Sequence, residues 1–575
     1  MKSYFNCHTH TALGSNIRLL DSINKVKDVI DKSIELGLCG VAITDHECLS
    51  AHIEAEKYMQ SIQEQHPDFK LALGNEIYLT EDRSVGQKYY HFILIAKDAL
   101  GHRALRELSS FSWMNSYRDR KLERVPTTKE ELKNIVQKYK GHLIATTACI
   151  GGELGSTILL YRAARSINDQ DNSILYYNQI NNFLTYCQEL FADDFYIECA
   201  PGTSEEQKIV NDFCYKIASV YNIKLIVGTD AHYLTKEERS VHKAYLNSKE
   251  GDREIDSFYE FTYLMNYEEV TTLLSKSFSD IQIAEQIADN TLELYDKIKR
   301  YSLFHKQSIP TVKVKDYPKS AWWEKDYAED MENFENLKKL FISDDIQDRY
   351  WVNECWNKLN EIGHGWDQYI ENGDDKYLAE LEEEARVKSI IGEKLETNMF
   401  KYPNTLQHYI DLIWDCGSMV GAGRGSSCAA LNHYLLGITQ LDPIKWELPF
   451  FRYLNEERVE LGDIDIDLCP SKVELILSKI AEERKEMFND DVPQWAKDNL
   501  GCTRIATFGT EVTKSAILTA CRGYRSEDYP EGIDVDDARY IASLVPEERG
   551  FLWPLEDVIN GNEEKGRKPV ATFIQ

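Results

Sequence analysis

From residue 1 to about residue 235, short apolar runs alternate with segments whose apolar residues recur at helical spacing. Amphipathic stretches such as Ile23–Leu36 and Glu130–Tyr139 predict helices between the runs. Because strands and helices alternate, the pattern predicts a parallel sheet, either open or closed into a barrel. The strand candidates are Gly40–Thr44, Leu71–Gly74, Phe92–Ala96, Leu143–Thr147, Phe195–Cys199 and Leu225–Thr229.

The rest of the chain has a different character. Acidic residues and tryptophans dominate residues from about 300 to 385, which predicts surface helices packed through Trp322, Trp351 and Trp356. A solvated helical face and an acidic protein-contact surface both fit this segment. From Met399 a helical stretch leads into a Gly-rich turn, and Ile505–Arg525 has a mostly helical pattern.

Asp463-Ile464-Asp465-Ile466-Asp467 alternates acidic and apolar residues. In a β-strand, alternate side chains point to the same face, so the pattern predicts three carboxylates along one face. Carboxylates this close repel each other unless a cation lies between them, and Mg²⁺ prefers oxygen ligands and substrate phosphates. The segment therefore predicts half of a metal site for phosphoryl chemistry, although an exposed strand with a charged face has the same pattern.

Length and composition set the broad class. A chain of 575 residues is too long for a single core, and 43% hydrophobic with 28% charged residues indicates a soluble globular protein. There is no apolar run of membrane-spanning length and no signal peptide at the start. The 13 cysteines contain no C-x-x-C pair, which argues against a disulfide framework or zinc ribbon and fits the cytoplasm, or the host cytoplasm for a viral protein.

The charge balance is strongly acidic. Lys and Arg number 66 against 96 Asp and Glu, a net charge of −30. This argues against broad nonspecific binding of nucleic acid. It does not exclude a nucleic-acid enzyme, because metal-binding carboxylates contribute to the negative charge and local Arg or Lys clusters can still face phosphates.

Metal-type ligands lie close to the strand candidates. Side chains at the carboxyl ends of barrel strands meet at one rim, where active sites are built. A single histidine is most often a satisfied structural residue, but five chain segments that each supply a ligand favour a metal centre. Imidazole, carboxylate and thiolate together suit Zn²⁺, Mn²⁺ or Fe²⁺ better than Mg²⁺ alone. The ligand candidates are His8, His10, Asp45, His46, Glu76, Cys149, Asp230 and His232.

His8-Thr9-His10, Thr44-Asp45-His46, Gly74-Asn75-Glu76 and Gly228–His232 resemble the motifs of the PHP (polymerase and histidinol phosphatase) domain. The resemblance implies a distorted β/α barrel with a trinuclear metal centre on its C-terminal rim. In polymerase-linked PHP domains an intact centre implies a 3′–5′ proofreading exonuclease; the alternative is a centre that only stabilises the fold. The implied ligands are His8, His10, Asp21, His46, Glu76, His91, Cys149, Asp230 and His232. His91 begins its predicted strand, so its place rests on the resemblance.

The turn Gly421–Ser427 could cradle phosphate oxygens with backbone N–H groups and one guanidinium. The motifs that follow, in order, resemble the palm of the family C replicative polymerases, the DNA polymerase III alpha subunits. They are Leu435–Thr439, Leu441–Pro443, Phe450–Asn455, Glu457–Val459 and Gly462–Leu468. Thr507–Thr510, Lys514 and Arg522 resemble the start of that family's fingers. Ala422 and Gly462 stand where the family usually has proline.

This second resemblance implies an α/β and α+β multidomain chain that acts on primer–template DNA and dNTPs. The expected domains are a PHP domain at 1–300, an acidic helical thumb-like segment at 301–385, a nucleotidyltransferase-like palm at 386–500 and the beginning of helical fingers at 501–575. Asp463 and Asp465 would bind two catalytic Mg²⁺ ions, supported by Asp467. The implied nucleotide contacts, for which surface ion pairs are the alternative, are Arg424, Gly425, Ser426, Arg452, Arg458, Lys514 and Arg522.

The family's third catalytic aspartate lies in a later Phe-Asp-Phe-Leu-Gly-like strand, and no such motif occurs between Asp467 and Gln575. We therefore expect a second polypeptide to supply this aspartate, the remaining fingers and the C-terminal domains, and through them contact with a sliding clamp, as in a split, phage-encoded polymerase. Two alternatives stay open. One is a stand-alone metal-dependent exonuclease or phosphoesterase with a vestigial palm. The other is a non-catalytic replisome scaffold.

Overall fold

The computed structural model describes residues 2–17, 20–84, 86–119, 122–248, 258–278, 280–305, 309–485 and 511–574. The chain forms two compact units. The first unit comprises Met1–Phe304 and Phe508–Gln575, and the second comprises His305–Thr507. None of the helices in the described part of the chain combines the length and apolar character needed to cross a bilayer.

An eight-stranded sheet organises the first unit, in the order β1-β2-β3-β4-β8-β9-β10 with β7 beside β3. A separate hairpin pairs β5 with β6. The strands are β1 (Phe5–Asn6), β2 (Gly40–Ile43), β3 (Lys70–Thr80), β4 (Tyr90–Ala96), β5 (Tyr117–Asp119), β6 (Leu122–Arg124), β7 (Pro126–Thr128), β8 (Leu143–Thr146), β9 (Phe195–Cys199) and β10 (Leu225–Val227). All six predicted runs therefore form strands.

The first and last strands of this sheet approach each other just beyond their ends. Thr9 bridges Ala231 in parallel, His10 N–H donates to the Ala231 carbonyl at 2.9 Å, and Ala231 N–H donates to the His8 carbonyl at 3.3 Å. The sheet is therefore nearly closed into a barrel, which confirms the predicted mixed α/β fold with a barrel-like N-terminal part.

The prediction of a wholly parallel sheet is wrong for one strand. β4 runs antiparallel to both of its neighbours, β3 and β8. The reason is the connection between β3 and β4, which contains no helix and is shorter than the dozen or so residues that a parallel crossover requires. This reversal brings the beginning of β4 to the rim at which the parallel strands end.

Helices pack against the sheet through a large apolar core that includes Leu94 of β4 and Phe183. The predicted helices Ile23–Leu36 and Glu130–Tyr139 are observed as α1 and α4. The helix α4 begins with a capping box, in which the Thr128 hydroxyl and the Glu131 carboxylate accept each other's backbone N–H groups. The helices are α1 (Val26–Glu35), α2 (His52–Ile62), α3 (Ala99–Met114), α4 (Lys129–Lys138), α5 (Glu153–Ser166), α6 (Gln170–Phe191), α7 (Glu205–Tyr221), α8 (Arg239–Asn247), α9 (Tyr267–Ser275), α10 (Ile281–Asp289) and α11 (Leu292–Lys297).

The second unit is helical in its described part and has an aromatic core. Trp351 and Trp356 are buried, and the ring centroid of Trp322 lies 5.3 Å from that of Trp356, so the predicted packing of these tryptophans is confirmed. The same core includes Leu431 and Leu435, which follow the Gly-rich turn. The helices are α12 (Glu335–Phe341), α13 (Ile346–Glu361), α14 (Trp366–Asn372), α15 (Lys376–Leu395), α16 (Lys401–Asp415), α17 (Leu431–Leu435) and α18 (Val473–Lys485).

The predicted strand at Asp463–Asp467 is not a regular strand. Its only ladder contacts among the described residues are an antiparallel bridge between Val420 and Leu468 and the hydrogen bond from Gly421 N–H to the Asp467 carbonyl. No neighbouring strand in residues 309–485 continues the ladder. The isoleucines still pack inward against apolar clusters while Asp463 and Asp467 remain exposed.

The C-terminal part of the first unit contains a small helical cluster with its own apolar core. Part of the predicted helix Ile505–Arg525 is observed as α19, while Thr507–Thr510 lies outside the described residues. The elements here are α19 (Thr513–Gly523), α20 (Val535–Ser543), β11 (Glu547–Glu548), β12 (Phe551–Leu552), α21 (Leu555–Asn560) and α22 (Ala571–Ile574).

Candidate metal centre

All nine ligands that the sequence predicts converge at one rim of the barrel. All but Glu76 lie on a loop or strand end that the sheet brings together. His8 and His10 follow β1, His46 follows β2, Cys149 follows β8, and Asp230 and His232 follow β10. Glu76 lies within the long strand β3, opposite His46 in a parallel bridge, and Asp21 comes from the loop before α1. His91 reaches the rim because β4 runs antiparallel.

The distances between donor atoms are short. His8 Nε2 lies 3.1 Å from His10 Nε2 and 3.2 Å from Asp230 Oδ1. Glu76 lies at the centre, since its Oε1 is 2.8 Å from His91 Nδ1 and its Oε2 is 2.7 Å from His46 Nδ1. Three groups place their donor atoms within 4.8 Å of one another: His10, His46 and His232; His8, His10 and Glu76; and His46, Glu76 and His91.

The two remaining ligands lie at the edges of this cluster. Asp21 Oδ2 is 3.1 Å from His46 Nε2 and 3.8 Å from His232 Nε2. Cys149 Sγ is 3.7 Å from His91 Nδ1. The nine side chains thus form one continuous constellation.

Burial and the neighbouring charges shift the pKa values of His46 and Glu76 in opposite directions. Burial lowers the pKa of His46, but the carboxylates of Asp21 and Glu76 outweigh burial and raise this pKa to about 10. Burial raises the pKa of Glu76, but the imidazoles around it outweigh burial and hold that pKa well below its ordinary value. The pKa of His8 is raised as well, whereas burial lowers the pKa values of His10 and His232. Without a cation, protons on His8 and His46 balance part of the carboxylate charge, and metal binding at these two histidines would release protons.

Two polar atoms in this rim are buried without a hydrogen-bond partner: Asp21 Oδ1 and His232 Nε2. Buried polar groups are almost always satisfied, and ligands of a cation are a common exception. The mixture of imidazole, carboxylate and thiol suits Zn²⁺, Mn²⁺ or Fe²⁺. The residues present therefore fit the expected metal centre.

The backbone at the rim is also unusual. Glu47, Ala148 and Asp230 have positive φ angles of 51°, 56° and 48°. Each residue is a ligand or the immediate neighbour of one. Non-glycine residues in this left-handed region cost free energy and cluster at functional sites. Three of the nine non-glycine residues with positive φ in the described part of the chain thus lie at or beside predicted ligands.

The carboxylate segment of the second unit adjoins the Gly-rich turn. Arg424 Nη2 lies 3.2 Å from Asp465 Oδ1, and Arg424 Nη1 lies 3.5 Å from Asp467 Oδ1. Gly425 has φ +70°, and a Cβ there would lie 3.2 Å from Asp465 Oδ2. Gly425 and Ser426 are exposed beside these carboxylates. Among the groups of potential metal ligands in the described residues, none includes Asp463 or Asp465.

Four further residues are predicted to contact phosphate. Arg452 is exposed, and Arg458 forms an ion pair with Glu460 at 2.6 Å. Lys514 and Arg522 lie on α19, in the first unit. Their roles stay predictions.

Comparison with known families decides what the two sites belong to. The PHP domain matches residues 6–201, and the bacterial DNA polymerase III alpha NTPase domain matches residues 349–571. The chain joins a PHP domain to a DNA polymerase III alpha NTPase domain. The first match includes His8–His10, Thr44–His46 and Gly74–Glu76 but ends before Gly228–His232, and the second includes the motifs from Leu435 to Arg522. The predicted resemblance to both families is therefore confirmed.

Similarity over nearly the whole of this chain supports the same assignment. "Probable DNA polymerase YorL" of Bacillus subtilis (strain 168) is 37% identical over 591 aligned residues, covering 99% of this chain and 43% of the relative. The "DNA-directed DNA polymerase" of Bacillus phage SPbeta matches with the same figures. The DNA polymerase III subunit alpha of Campylobacter jejuni is 28% identical, covering 94% of this chain and 41% of the relative. The chain spans about two fifths of the length of these curated relatives.

Sequence reasoning missed Glu198, a residue of β9 that supports the PHP metal centre. Its carboxylate lies 2.7 Å from His8 Nδ1 and accepts a hydrogen bond from the Thr146 hydroxyl at 2.7 Å. A Cβ on Gly228 would collide with this carboxylate, so only glycine fits there. The signal was present in the sequence, because Glu198 is the only charged residue in the strand Phe195–Cys199.

Asp45 has a comparable supporting role. Its carboxylate accepts hydrogen bonds from the backbone N–H and hydroxyl groups of Thr11 and Ser15. The Ser15 hydroxyl is in turn 3.0 Å from His10 Nδ1. Burial raises the pKa of Asp45 to about 6, although the hydrogen bonds oppose this shift. Asp45 therefore orients His10 through Ser15 instead of joining the cluster of ligands.

We expect Glu198→Gln to weaken metal binding by about 10- to 100-fold, because partners that orient ligand histidines typically contribute that much. Metal titration of the purified protein, with bound metal measured by elemental analysis, checks this. Glu293→Gln removes a partly exposed glutamate of the same unit and should leave metal affinity unchanged. Equal affinity of the Glu198→Gln variant and the wild type would contradict the role given to Glu198.

Proposed function

We propose that the PHP domain hydrolyses the terminal phosphodiester of a DNA strand as a 3′–5′ exonuclease. The observation that carries this proposal is the complete constellation of nine buried or half-buried ligands at one rim. Structural metal sites are usually single, closed zinc sites with four ligands. A larger cluster of ligands can hold more than one ion, and paired ions stabilise both the attacking and the leaving oxygen of a phosphodiester.

The chain's own residues would prepare the site. Glu198 fixes His8, and Asp45 fixes His10 through Ser15, so both imidazoles keep one orientation. The expected ions are Zn²⁺, Mn²⁺ or Fe²⁺, and the remaining ligands would be Asp21, His46, Glu76, His91, Cys149, Asp230 and His232. Such ions, when bound, activate water and stabilise the leaving oxygen of a phosphodiester.

Metal removal tests this proposal. A ligand present at 1,000 times its dissociation constant stabilises the folded state by about 4 kcal/mol, which corresponds to roughly 10 °C in the unfolding midpoint. We therefore expect a strong chelator to lower the midpoint of the first unit by about this amount and to stop shortening of a 5′-labelled DNA strand. Readdition of Mn²⁺ should restore both the unfolding midpoint and the shortening of the DNA strand. A chelated protein with unchanged stability and undiminished excision would contradict the proposal.

We also propose that the chain belongs to a DNA-directed DNA polymerase of the DNA polymerase III alpha type. The similarity to relatives named as DNA polymerases over nearly the whole chain carries this proposal. In it, residues 301–385, 386–500 and 501–575 would be thumb-like, palm and fingers segments. Asp463 and Asp465 would hold two Mg²⁺ ions, which stabilise the attacking and leaving oxygens when bound.

The second unit's residues would position the nucleotide for that reaction. Arg424, Gly425 and Ser426 lie beside Asp465, where the triphosphate of a dNTP would bind. Arg452, Arg458, Lys514 and Arg522 would supply further phosphate contacts. The primer 3′-hydroxyl would then attack the α-phosphate and release pyrophosphate.

Primer extension tests whether this chain requires a second polypeptide for synthesis. If a partner supplies the third aspartate and access to a sliding clamp, the 575-residue chain alone should not extend a primer at the rate of the reconstituted complex. Extension by the chain alone at that rate would contradict the requirement. Excision without any synthesis in the complex would favour a nuclease with a vestigial palm, and absence of both activities would favour a scaffold.

A further inference from the structure

A cavity of about 170 Å³ opens directly beside the metal centre. Its lining includes the ligands Cys149 and Asp230 together with Phe258, Phe261 and Pro201. A cavity of about 150 Å³ lined by apolar side chains is large enough to hold one benzene ring. The cavity therefore has room for a single planar ring next to the place where a phosphodiester would be cleaved.

Aromatic side chains connect this cavity with the metal ligands. Phe258 is 38% exposed, and its ring centroid lies 4.9 Å from that of Tyr259. The Tyr259 ring in turn lies 5.1 Å, edge to face, from the ligand His232. Phe261, at the end of the short 3₁₀ turn Tyr259–Phe261, packs partly against the core of the unit. An exposed phenyl face held on a packed turn is suited to stacking with a nucleic-acid base.

The charges of the side chains that line the cavity favour a base over a phosphate as its occupant. Among the described residues that line the cavity, there is no lysine or arginine, and the charged ones are Glu206 and Asp230. The cavity therefore offers no cationic side chain to a phosphate, whose place is at the adjoining metal centre. The hydroxyl and amide groups of Thr203, Ser204 and Gln207 offer neutral donors and acceptors, which suit the polar edge of a base.

We propose that this cavity binds the base of the 3′-terminal nucleotide of a single DNA strand, stacked on Phe258, while the adjoining phosphodiester lies at the metal centre. This inference rests on the proposed exonuclease function and adds a substrate class to it. The site takes an unpaired terminal nucleotide, because a base that is still paired and stacked in a duplex cannot enter a cavity for one ring. Terminal mismatches would therefore be excised faster than paired ends.

Two labelled strands test the inference. They are identical except that one ends in thymidine at its 3′ terminus and the other ends in an abasic tetrahydrofuran nucleotide. We expect metal-loaded wild type to remove the thymidine nucleotide about tenfold faster, because stacking on one aromatic side chain typically contributes a factor of this order. The Phe258→Ala variant should remove both terminal nucleotides at equal rates, and the Phe258→Trp variant should retain the preference for thymidine.

The controls separate stacking from folding. Phe258→Ala changes a partly exposed side chain, so its unfolding midpoint should equal that of the wild type. Phe304→Ala removes a phenylalanine that is 42% exposed and does not line the cavity, so it should keep the preference for thymidine. Loss of the preference in this variant would show that the cavity is not its source and would overturn the inference.

The remaining outcomes distinguish this inference from the proposed function. If wild type removes both termini equally fast, the cavity does not bind the base, whereas the exonuclease proposal stands. If the Phe258→Ala variant keeps the full preference for thymidine, the terminal base does not stack on Phe258. If metal-loaded wild type removes neither terminus, the exonuclease proposal fails and the inference fails with it.

Discussion

Replacing Glu76 with glutamine is expected to weaken metal binding by more than about 100-fold and to stop excision of DNA. Glu76 belongs to two of the three groups of potential ligands. Its carboxylate also lies 3.3 Å from His10 Nε2 and 3.5 Å from His8 Nε2. Changes to partners that only orient ligands cost about 10- to 100-fold in metal affinity, so loss of a central carboxylate should cost more.

The measurement is metal content per chain after dialysis against a defined metal concentration, together with the excision rate. Glu56→Gln is the matched control, because Glu56 is a buried glutamate whose carboxylate accepts the Leu303 backbone N–H outside the cluster. The control should retain metal and excision. Wild-type metal content and wild-type excision in Glu76→Gln would show that the cluster is not the catalytic centre.

Asp465→Asn is expected to reduce DNA synthesis about 1,000-fold or more while leaving excision intact. Two-metal catalysis contributes several kcal/mol to transition-state stabilisation, and about 4 kcal/mol corresponds to a factor of 1,000. Asp465 adjoins Arg424 and Gly425, where the triphosphate would bind. The metal centre of the PHP domain is built from other residues, so its activity should not change.

This experiment uses the chain within the complex that synthesises DNA, with primer extension and excision measured on the same preparation. Asp415→Asn changes an exposed aspartate elsewhere in the second unit and should affect neither activity. Synthesis at the wild-type rate by Asp465→Asn would favour the alternative in which the palm is vestigial. Parallel loss of both activities would instead indicate a general defect in folding or assembly.

The barrel could be predicted from sequence because its strands are short, buried apolar runs. Phe195–Cys199 is observed with the predicted bounds, and the other five runs differ mainly at their ends. The direction of β4 could not be predicted from periodicity, because side-chain alternation is the same in parallel and antiparallel strands. His91 therefore looked misplaced at the start of its strand, whereas reversal of β4 brings it to the rim.

The supporting residues were harder to predict than the ligands. Glu198 contacts His8 only because β9 lies near β1 in the barrel, and these strands are separated by nearly 190 residues in sequence. The alternation at Asp463–Asp467 correctly predicted inward isoleucines and outward carboxylates. The alternation could not show whether the segment forms a regular strand. A strand requires a neighbour for its hydrogen bonds, and the local pattern does not show whether a neighbour is present.

The most direct test of the central claim is a time course of a 5′-labelled, 3′-mismatched DNA strand with the purified chain and Mn²⁺. We predict stepwise shortening from the 3′ end by wild type and by Asp465→Asn, and none by His10→Ala. The buried cluster at the rim of the barrel would then be the nuclease. No shortening by wild type with bound metal, or equal shortening by His10→Ala, would contradict the account.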